Sequence, residues 1–325
     1  MTRAPFPLVW DNTMRSAFVA CPRKFWWQFG LHNKPMRESI DLHAGGAWAK
    51  ALEVARYSYY VSHLSSDESQ ARGVEALVRA YGSFECPPDN PKSLQRLCEA
   101  FVYYFQNFPL ETDHAQPYIG PNGPMIEFSF ATPLYDEAAA EGREEPPLLH
   151  PESGEPIIYA GRADMVATYA GAVTIYDDKT TKAIGASWAD QWNMRAQFTG
   201  YVWAANEMGI PATQVLVRGI GILKTKFTHA EAPAFREPFR VARWHNQVVR
   251  DIRRAMKCWE EGFWDTNESD SCSSYSGCMF QQPCMAADPE PWLEANYTKR
   301  VWDPVHRAET PAEGRSGDPE PAIPL

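Results

Sequence analysis

Two hydrophobic periodicities alternate along the chain and mark out its elements. Between residues 161 and 182 the apolar and β-branched residues Met165, Val166, Thr168, Val173, Thr174 and Ile175 flank a Tyr-Ala-Gly turn, a pattern that predicts a β-hairpin. Its outer ends are polar: Asp164 lies on the first strand, and Asp177 with Lys179 closes the second. From Gly46 to about His63 the apolar residues Ala47, Ala51, Val54 and Tyr57 recur three or four apart, the spacing of a helix. Further helices are predicted near 67 to 84 and 92 to 107, the second with Leu94, Leu97, Phe101 and Phe105 along one stripe. Residues 11 to 30 predict a helix interrupted at Cys21-Pro22-Arg23-Lys24, with Pro22 able to open a new helical turn.

Met125 to Leu134 interleaves Glu127, Ser129 and Thr132 with apolar residues and predicts a strand. The acidic, proline-containing segment 136 to 156 predicts a surface loop. Helical spacing returns from Trp188 to Met208, where Gln197 and Tyr201, four apart, share one face. Strands are expected at 213 to 223 and 239 to 244, then a helix from about 246 to 262, and beyond Val305 a flexible tail poor in apolar residues. This order of elements predicts an α/β or α+β domain over 1–303, with a mainly helical part (1–110), a sheet core (120–245) and a C-terminal helix with a cysteine cluster (246–290).

Composition changes this picture in three ways. A net charge of −10 excludes nucleic-acid binding by bulk charge but leaves room for a local basic groove. No run approaches the ~18 apolar residues of a membrane helix. The opening residues lack the apolar segment of a secretory signal, so the seven cysteines are expected in a reducing cytoplasm, where clustered cysteines more often hold metal than form disulfides.

Strands seldom finish in Asp-Asp-Lys for packing reasons, because charges at the edge of a core are costly unless they are paired or bind a metal. Asp164 and Asp177 on paired strands can offer two carboxylates to a hard cation such as Mg²⁺, and the Asp178 backbone carbonyl a third oxygen. Lys179 shares a face with Asp177, since strand side chains alternate, and its ammonium can position a metal-bound water or stabilise a phosphate under attack. A surface ion-pair cluster, worth about 0–1 kcal/mol, would also use these three charges but leaves the ordered motifs around them unexplained. Arg195, Lys182, Lys224, Lys226, Arg250, Arg253 and Arg254 are candidates for a DNA channel against a default of solvated surface, and Trp188 and Trp192 for base stacking against a default of core.

Gly161-Arg162-Ala163-Asp164 followed by Asp177-Asp178-Lys179 resembles the core motif of the PD-(D/E)xK nuclease superfamily, and Gln197-Phe198-Thr199-Gly200-Tyr201 resembles the Gln-x-x-x-Tyr motif of its RecB-like branch. Cys21-Pro22-Arg23 is similar to the Cys-Pro-Arg segment of those relatives that carry an iron–sulfur cluster, with Cys272, Cys278 and Cys284 standing where the late ligands are expected. The resemblance implies a restriction-endonuclease-like mixed sheet flanked by helices, with a [4Fe–4S] staple joining the ends of the chain; Zn²⁺ on the same four thiolates is the alternative. It implies a Mg²⁺- or Mn²⁺-dependent deoxyribonuclease, an exonuclease similar to phage-encoded ones, acting on DNA in recombination, repair or end processing, with a recombination or replication protein as a further partner. Asp164, Asp177, Lys179, Gln197 and Tyr201 would be its catalytic residues.

Two departures accompany it. The late cysteines are evenly spaced, whereas many relatives have a closer first pair. The family's Gly-x-x-x-His-x-x-Leu-Glu pattern reads here Gly45-Gly46-Ala47-Trp48-Ala49-Lys50-Ala51-Leu52-Glu53, with Ala49 in the histidine position; Glu53, and less directly His43, are the candidate substitutes. The second departure keeps a different expectation open, a DNA-binding or assembly module whose nuclease site has decayed.

Overall fold

The computed structural model describes residues 4–136, 146–273 and 277–311. In chain order the helices are α1 (Asn12–Ala20), α2 (Pro22–Phe25), α3 (Ile40–Tyr60), α4 (Ser66–Tyr81), α5 (Leu94–Asn107), α6 (Ala196–Glu207), α7 (Pro238–Glu261), α8 (Gln281–Met285) and α9 (Glu290–Asn296). The strands are β1 (Val9–Trp10), β2 (Asn33–Pro35), β3 (Gln116–Pro117), β4 (Ile119–Gly120), β5 (Gly123–Pro124), β6 (Ile126–Pro133), β7 (Ile158–Tyr169), β8 (Ala172–Thr181), β9 (Gln214–Ile222), β10 (Phe227–Phe235), β11 (Tyr297–Asp303) and β12 (Ala308–Pro311). The chain divides into two compact units, one from the described parts of Met1–Arg37, Pro133–Ala160 and Val248–Leu325, the other from Glu38–Thr132 and Gly161–Gln247.

The second unit holds a mixed sheet in the order β7-β8-β9-β10, with β3 and β6 also paired to β7. β7 and β8 are antiparallel, β8 and β9 parallel, and β9 and β10 antiparallel. The predicted hairpin is present, and its turn is made by Ala170 (φ 49°) and Gly171 (φ 78°), two successive left-handed residues of the kind that matches the twist of the flanking strands. Helices α3, α4 and α5 form because each has an oxygen cap and a periodic apolar face. Ser39, Ser65 and Ser93 accept from the first-turn N–H groups, and Ser65 with Glu68 makes a reciprocal capping box. Their buried faces meet β9 in one core of Trp48, Leu52, Leu77, Phe101, Phe105 and Ile220. Burying each such side chain contributes about 1.5–3 kcal/mol before ordering costs.

In the first unit, β1 runs parallel to the opening residues of β7 (Val9↔Ile158, Trp10↔Tyr159). Helix α1 stops at Ala20 and α2 restarts at Pro22, as the sequence pattern predicts, and a single π turn, Trp26–Gly30, follows. Trp10 stacks on Phe25 at 4.8 Å, joining β1 to α2, and Trp26 stacks on Trp264 at 4.7 Å, joining the π turn to the chain after α7. A three-stranded sheet, β12-β11-β2, completes the unit.

Several expectations change. Residues 239–244 are not a strand: they lie in α7, which starts at Pro238 rather than near 246, with the proline at the first turn where its missing N–H costs nothing. The strand in that region is β10, whose Phe-Thr-His-Ala-Glu-Ala-Pro-Ala-Phe carries a proline and little alternation, as an edge position allows. Helix α6 begins at Ala196 rather than 188, because the segment before it makes only a short 3₁₀ turn at Asp190–Trp192. Part of the expected tail is ordered, since Ala308–Pro311 pair with β11; residues beyond 311 lie outside the described residues, as do 137–145 of the predicted loop.

Candidate active site

β7 and β8 bring the acidic residues together. The last pair of their register is Met165↔Tyr176, so Asp164 and Asp177 follow it on opposite strands. Asp164 Oδ2 accepts the Asp178 N–H at 2.7 Å, which tethers the first carboxylate to the backbone of the second strand. Asp177 is only 2% exposed and is ion-paired through Oδ1 with the Lys179 ammonium on the same face of β8. Burial pushes the Asp177 carboxyl up to about 7; Lys179 opposes that rise and Asp164 adds to it. Burial would lower the Lys179 pKa, but Asp177 and Asp164 outweigh it and hold the ammonium above its ordinary value. Lys179 is therefore a fixed positive charge, suited to orienting a nucleophile or a phosphate rather than to taking a proton.

α6 adds the next pair. Gln197 Nε2 donates to the Tyr201 hydroxyl at 2.7 Å, one helical turn apart, and the Lys179 ammonium lies 5.8 Å from the centre of the Phe198 ring between them. Gly161 explains the first residue of the Gly-Arg-Ala-Asp motif: a Cβ there would stand 2.6 Å from Phe130 Cζ and 3.1 Å from Tyr201 Cε1. Only a hydrogen lets Tyr201 pack this closely on β7.

Asp178 turns into the core on the opposite face. Its Oδ2 meets Arg56 Nη2 at 2.6 Å, and its Oδ1 accepts from the hydroxyls of Tyr104 (3.0 Å) and Tyr176 (3.1 Å). Arg218, fully buried on β9, extends the network to Asp113 at 2.7 Å and Glu231 at 2.7 Å. This lattice ties α3 and α5 to β8 and β9 directly behind Asp177 and Lys179.

A model of the PD-(D/E)XK nuclease superfamily matches residues 14–285, from α1 to the end of α8. The chain belongs to the PD-(D/E)XK nuclease superfamily. Membership fits the mixed central sheet with flanking helices and implies phosphodiester hydrolysis. No curated protein matches the chain. Nineteen chains of known structure match it. One of these, titled "Crystal structure of SSO0001", is 11% identical, with 68% of this chain and 78% of that chain covered and a TM-score of 0.28.

In this nuclease the sequence pattern left out Glu127. The alternation along β6 reads it as solvent-facing, yet its backbone is left-handed (φ 54°) and its carboxylate pairs with Arg162 Nε at 2.9 Å. Burial and the charge of Asp164 push it up to about 8, with Arg162 opposing and Glu53 adding. Glu53 therefore stands near Glu127, although its own carboxylate is held by Lys50 at 2.7 Å. No local signal announces Glu127, because a positive φ on a non-glycine residue is not written in residue type. His43 is committed elsewhere: it bonds the Tyr81 carbonyl at 2.9 Å and stacks on Phe84 at 4.1 Å.

Among the described residues no group of three or more His, Cys, Asp or Glu is arranged to hold a metal ion. The pair Asp164 and Asp177 suits a cation that takes one or two carboxylates and keeps several waters, and the undercompensated charge of Asp177 is what such an ion would neutralise. In the first unit Cys21, Cys272, Cys278 and Cys284 all line one cavity of about 780 Å³, with Arg23, Lys24 and Trp27. Burial raises the Cys284 thiol; Arg23 opposes this, and the other three cysteines add to it. Cys86 and Cys98 pack against the core of the second unit, and Cys258 lies in α7.

Proposed function

We propose that this nuclease cleaves DNA with Mg²⁺ or Mn²⁺, as an exonuclease of the RecB-like branch acting in recombination, repair or end processing in the cytoplasm, a host cytoplasm if it is phage-encoded. The observation that carries the reading is the gathering of Asp164, Asp177 and Lys179 on β7 and β8 beside the Gln197–Tyr201 pair of α6. Asp164, Asp177 and the Asp178 carbonyl would hold the cation, which supplies charge for a phosphate and an activated water. Lys179 orients the nucleophile by its fixed charge. Tyr201 and Gln197 hold each other and stand where they can position Lys179 or the DNA backbone.

The test is single-turnover cleavage of end-labelled linear DNA with Mg²⁺ or Mn²⁺. Asp177→Ala and Lys179→Ala should each lower the rate roughly 100-fold or more. Undiminished rates in both would overturn the assignment. Circular DNA of the same sequence offers no end, so an exonuclease leaves it intact. The placement of His43 and Ala49 favours a second reading, a decayed DNA-binding or assembly module, which binds DNA but shows no metal-dependent cleavage in the same assay.

For the cysteines we propose a [4Fe–4S] cluster on Cys21, Cys272, Cys278 and Cys284. What supports it is that all four cysteines line one cavity and that Cys21-Pro22-Arg23 resembles the segment of relatives that carry such a cluster; Zn²⁺ on the same four thiolates is the alternative. An anaerobic preparation should be brown and contain iron; a colourless one containing only zinc refutes the cluster.

A further inference from the structure

The two tryptophans that the sequence offered for base stacking are core residues, Trp188 at 6% and Trp192 at 5% exposure. Apolar side chains of this unit that do reach solvent lie close by in sequence. Phe235, at the end of β10, is 63% exposed; Phe239, in the first turn of α7, is 65% exposed; Met194, in the segment before α6, is 71% exposed. One side chain links Phe235 and Met194. Arg240 donates to the Phe235 carbonyl at 3.0 Å, pairs with the Asn193 carbonyl, and lies 3.4 Å from the Met194 sulfur.

Cations accompany this apolar patch. The Arg243 guanidinium stands 6.0 Å from the Phe239 ring centre and that of Arg195 5.8 Å from the Trp192 ring centre, so both lean on rings rather than on carboxylates. Arg195 precedes the first residue of α6, whose N-terminus has no side-chain cap and a positive dipole end. Two residues into that helix, Phe198 carries the Lys179 ammonium over its ring. Lys179, Arg195 and Arg243 thus each sit over a ring on the elements between the Asp-x-Lys strand and the exposed side chains, with Arg240 ion-paired to Glu237 at 3.5 Å, in a chain whose net charge is −10.

We propose that Met194, Phe235 and Phe239, with Arg195 and Arg243, form a docking surface for unpaired nucleotides of the strand that enters or leaves the nuclease site. Exposed rings flanked by arginines offer stacking for bases and pairing for phosphates, and only an unpaired strand has free base faces. A protein partner would use the rings but has no need of arginines held over rings beside them. The assignment builds on the nuclease reading of the neighbouring site, yet it is measured without cleavage.

The experiment uses the full chain in EDTA, following fluorescence anisotropy of labelled oligo-dT of about 12 nucleotides and of a blunt duplex of equal length. Wild-type protein should prefer oligo-dT. Phe235→Ala/Phe239→Ala should weaken oligo-dT binding at least about tenfold while preserving the salt dependence. Arg195→Gln/Arg243→Gln should instead flatten the slope of log affinity against log salt by about 1 to 1.5, near 0.7 for each single-strand phosphate that is no longer neutralised. Circular dichroism melting of both variants identical to wild type excludes unfolding as the cause. Oligo-dT binding unchanged in both variants overturns the proposal. So does sedimentation showing that Phe235→Ala/Phe239→Ala dissociates a dimer without changing oligo-dT binding, which would assign the patch to self-association. If cleavage fails while oligo-dT binding follows this pattern, the nuclease reading falls and the docking surface stands.

Discussion

Removing the Arg56 guanidinium by Arg56→Met should expose how much the site depends on the lattice behind it. Arg56 and Asp178 side chains are 5% and 2% exposed and meet at 2.6 Å, so water cannot take over from the missing partner. The Tyr104 and Tyr176 hydroxyls still donate to Asp178, but they too are deprived of Arg56 Nη2, which stands at 2.7 Å and 3.1 Å from them. Breaking a buried ion pair by deleting one member costs about 3–5 kcal/mol, because the other charge is left buried. Some of that cost can be avoided by protonation. Burial already raises Asp178 above its ordinary carboxylate value, with Arg56 opposing the rise, so the substitution raises it further.

The sign follows from linkage. A carboxyl whose folded pKa lies above its unfolded value binds its proton more tightly when folded, so its contribution to stability falls as pH rises from the unfolded value through the folded one. The deficit of Arg56→Met relative to wild type should therefore be small near about pH 4 and grow towards about 3–5 kcal/mol at about pH 8. Adding Asp178→Asn should recover most of it, since an amide needs no counter-charge. Urea unfolding at the two pH values measures each quantity. A deficit below about 1 kcal/mol at about pH 8, or one independent of pH, refutes the reasoning. Because the Asp178 N–H holds Asp164, the single variant should also lose metal-dependent cleavage in conditions where it remains folded, and Arg56→Lys should restore part of it.

Gly161→Ala forces a methyl against Phe130 and Tyr201, and should destabilise the protein by about 1–3 kcal/mol in thermal unfolding and lower cleavage by displacing Tyr201. With Asp177 raised to about 7, its carboxyl must release a proton to bind a cation; Mn²⁺ affinity, measured by calorimetry, should rise with pH up to about 7 and level off above it. Glu127, raised to about 8, disfavours the metal-free fold as pH climbs from its unfolded value through 8; Glu127→Gln should make the apo protein more stable than wild type at alkaline pH and indistinguishable in acid, as read by chemical unfolding.

What the sequence disclosed about this site, and what it hid, divides along physical lines. The hairpin was legible because β-branched runs, a turn and polar ends are properties of adjacent residues, and Gln197 with Tyr201 because a helix fixes residues four apart. The π turn at Trp26–Gly30 and the edge strand β10 were not, since each is selected by packing rather than by local preference. The same holds for chemistry. Asp177 and Lys179 announce themselves as charges closing an apolar strand, whereas Glu127 enters the site through one left-handed backbone angle and Arg56 through a buried ion pair from α3 to Asp178 on β8. The middle residue of Asp177-Asp178-Lys179 shows why both kinds matter. A buried aspartate at that position is tolerable only because Arg56, Tyr104 and Tyr176 converge on it from α3, α5 and β8. Its side chain is thus fixed by long-range partners while its N–H fixes Asp164, and the geometry at the Asp-x-Lys strand inherits its rigidity from residues on the opposite face of the sheet.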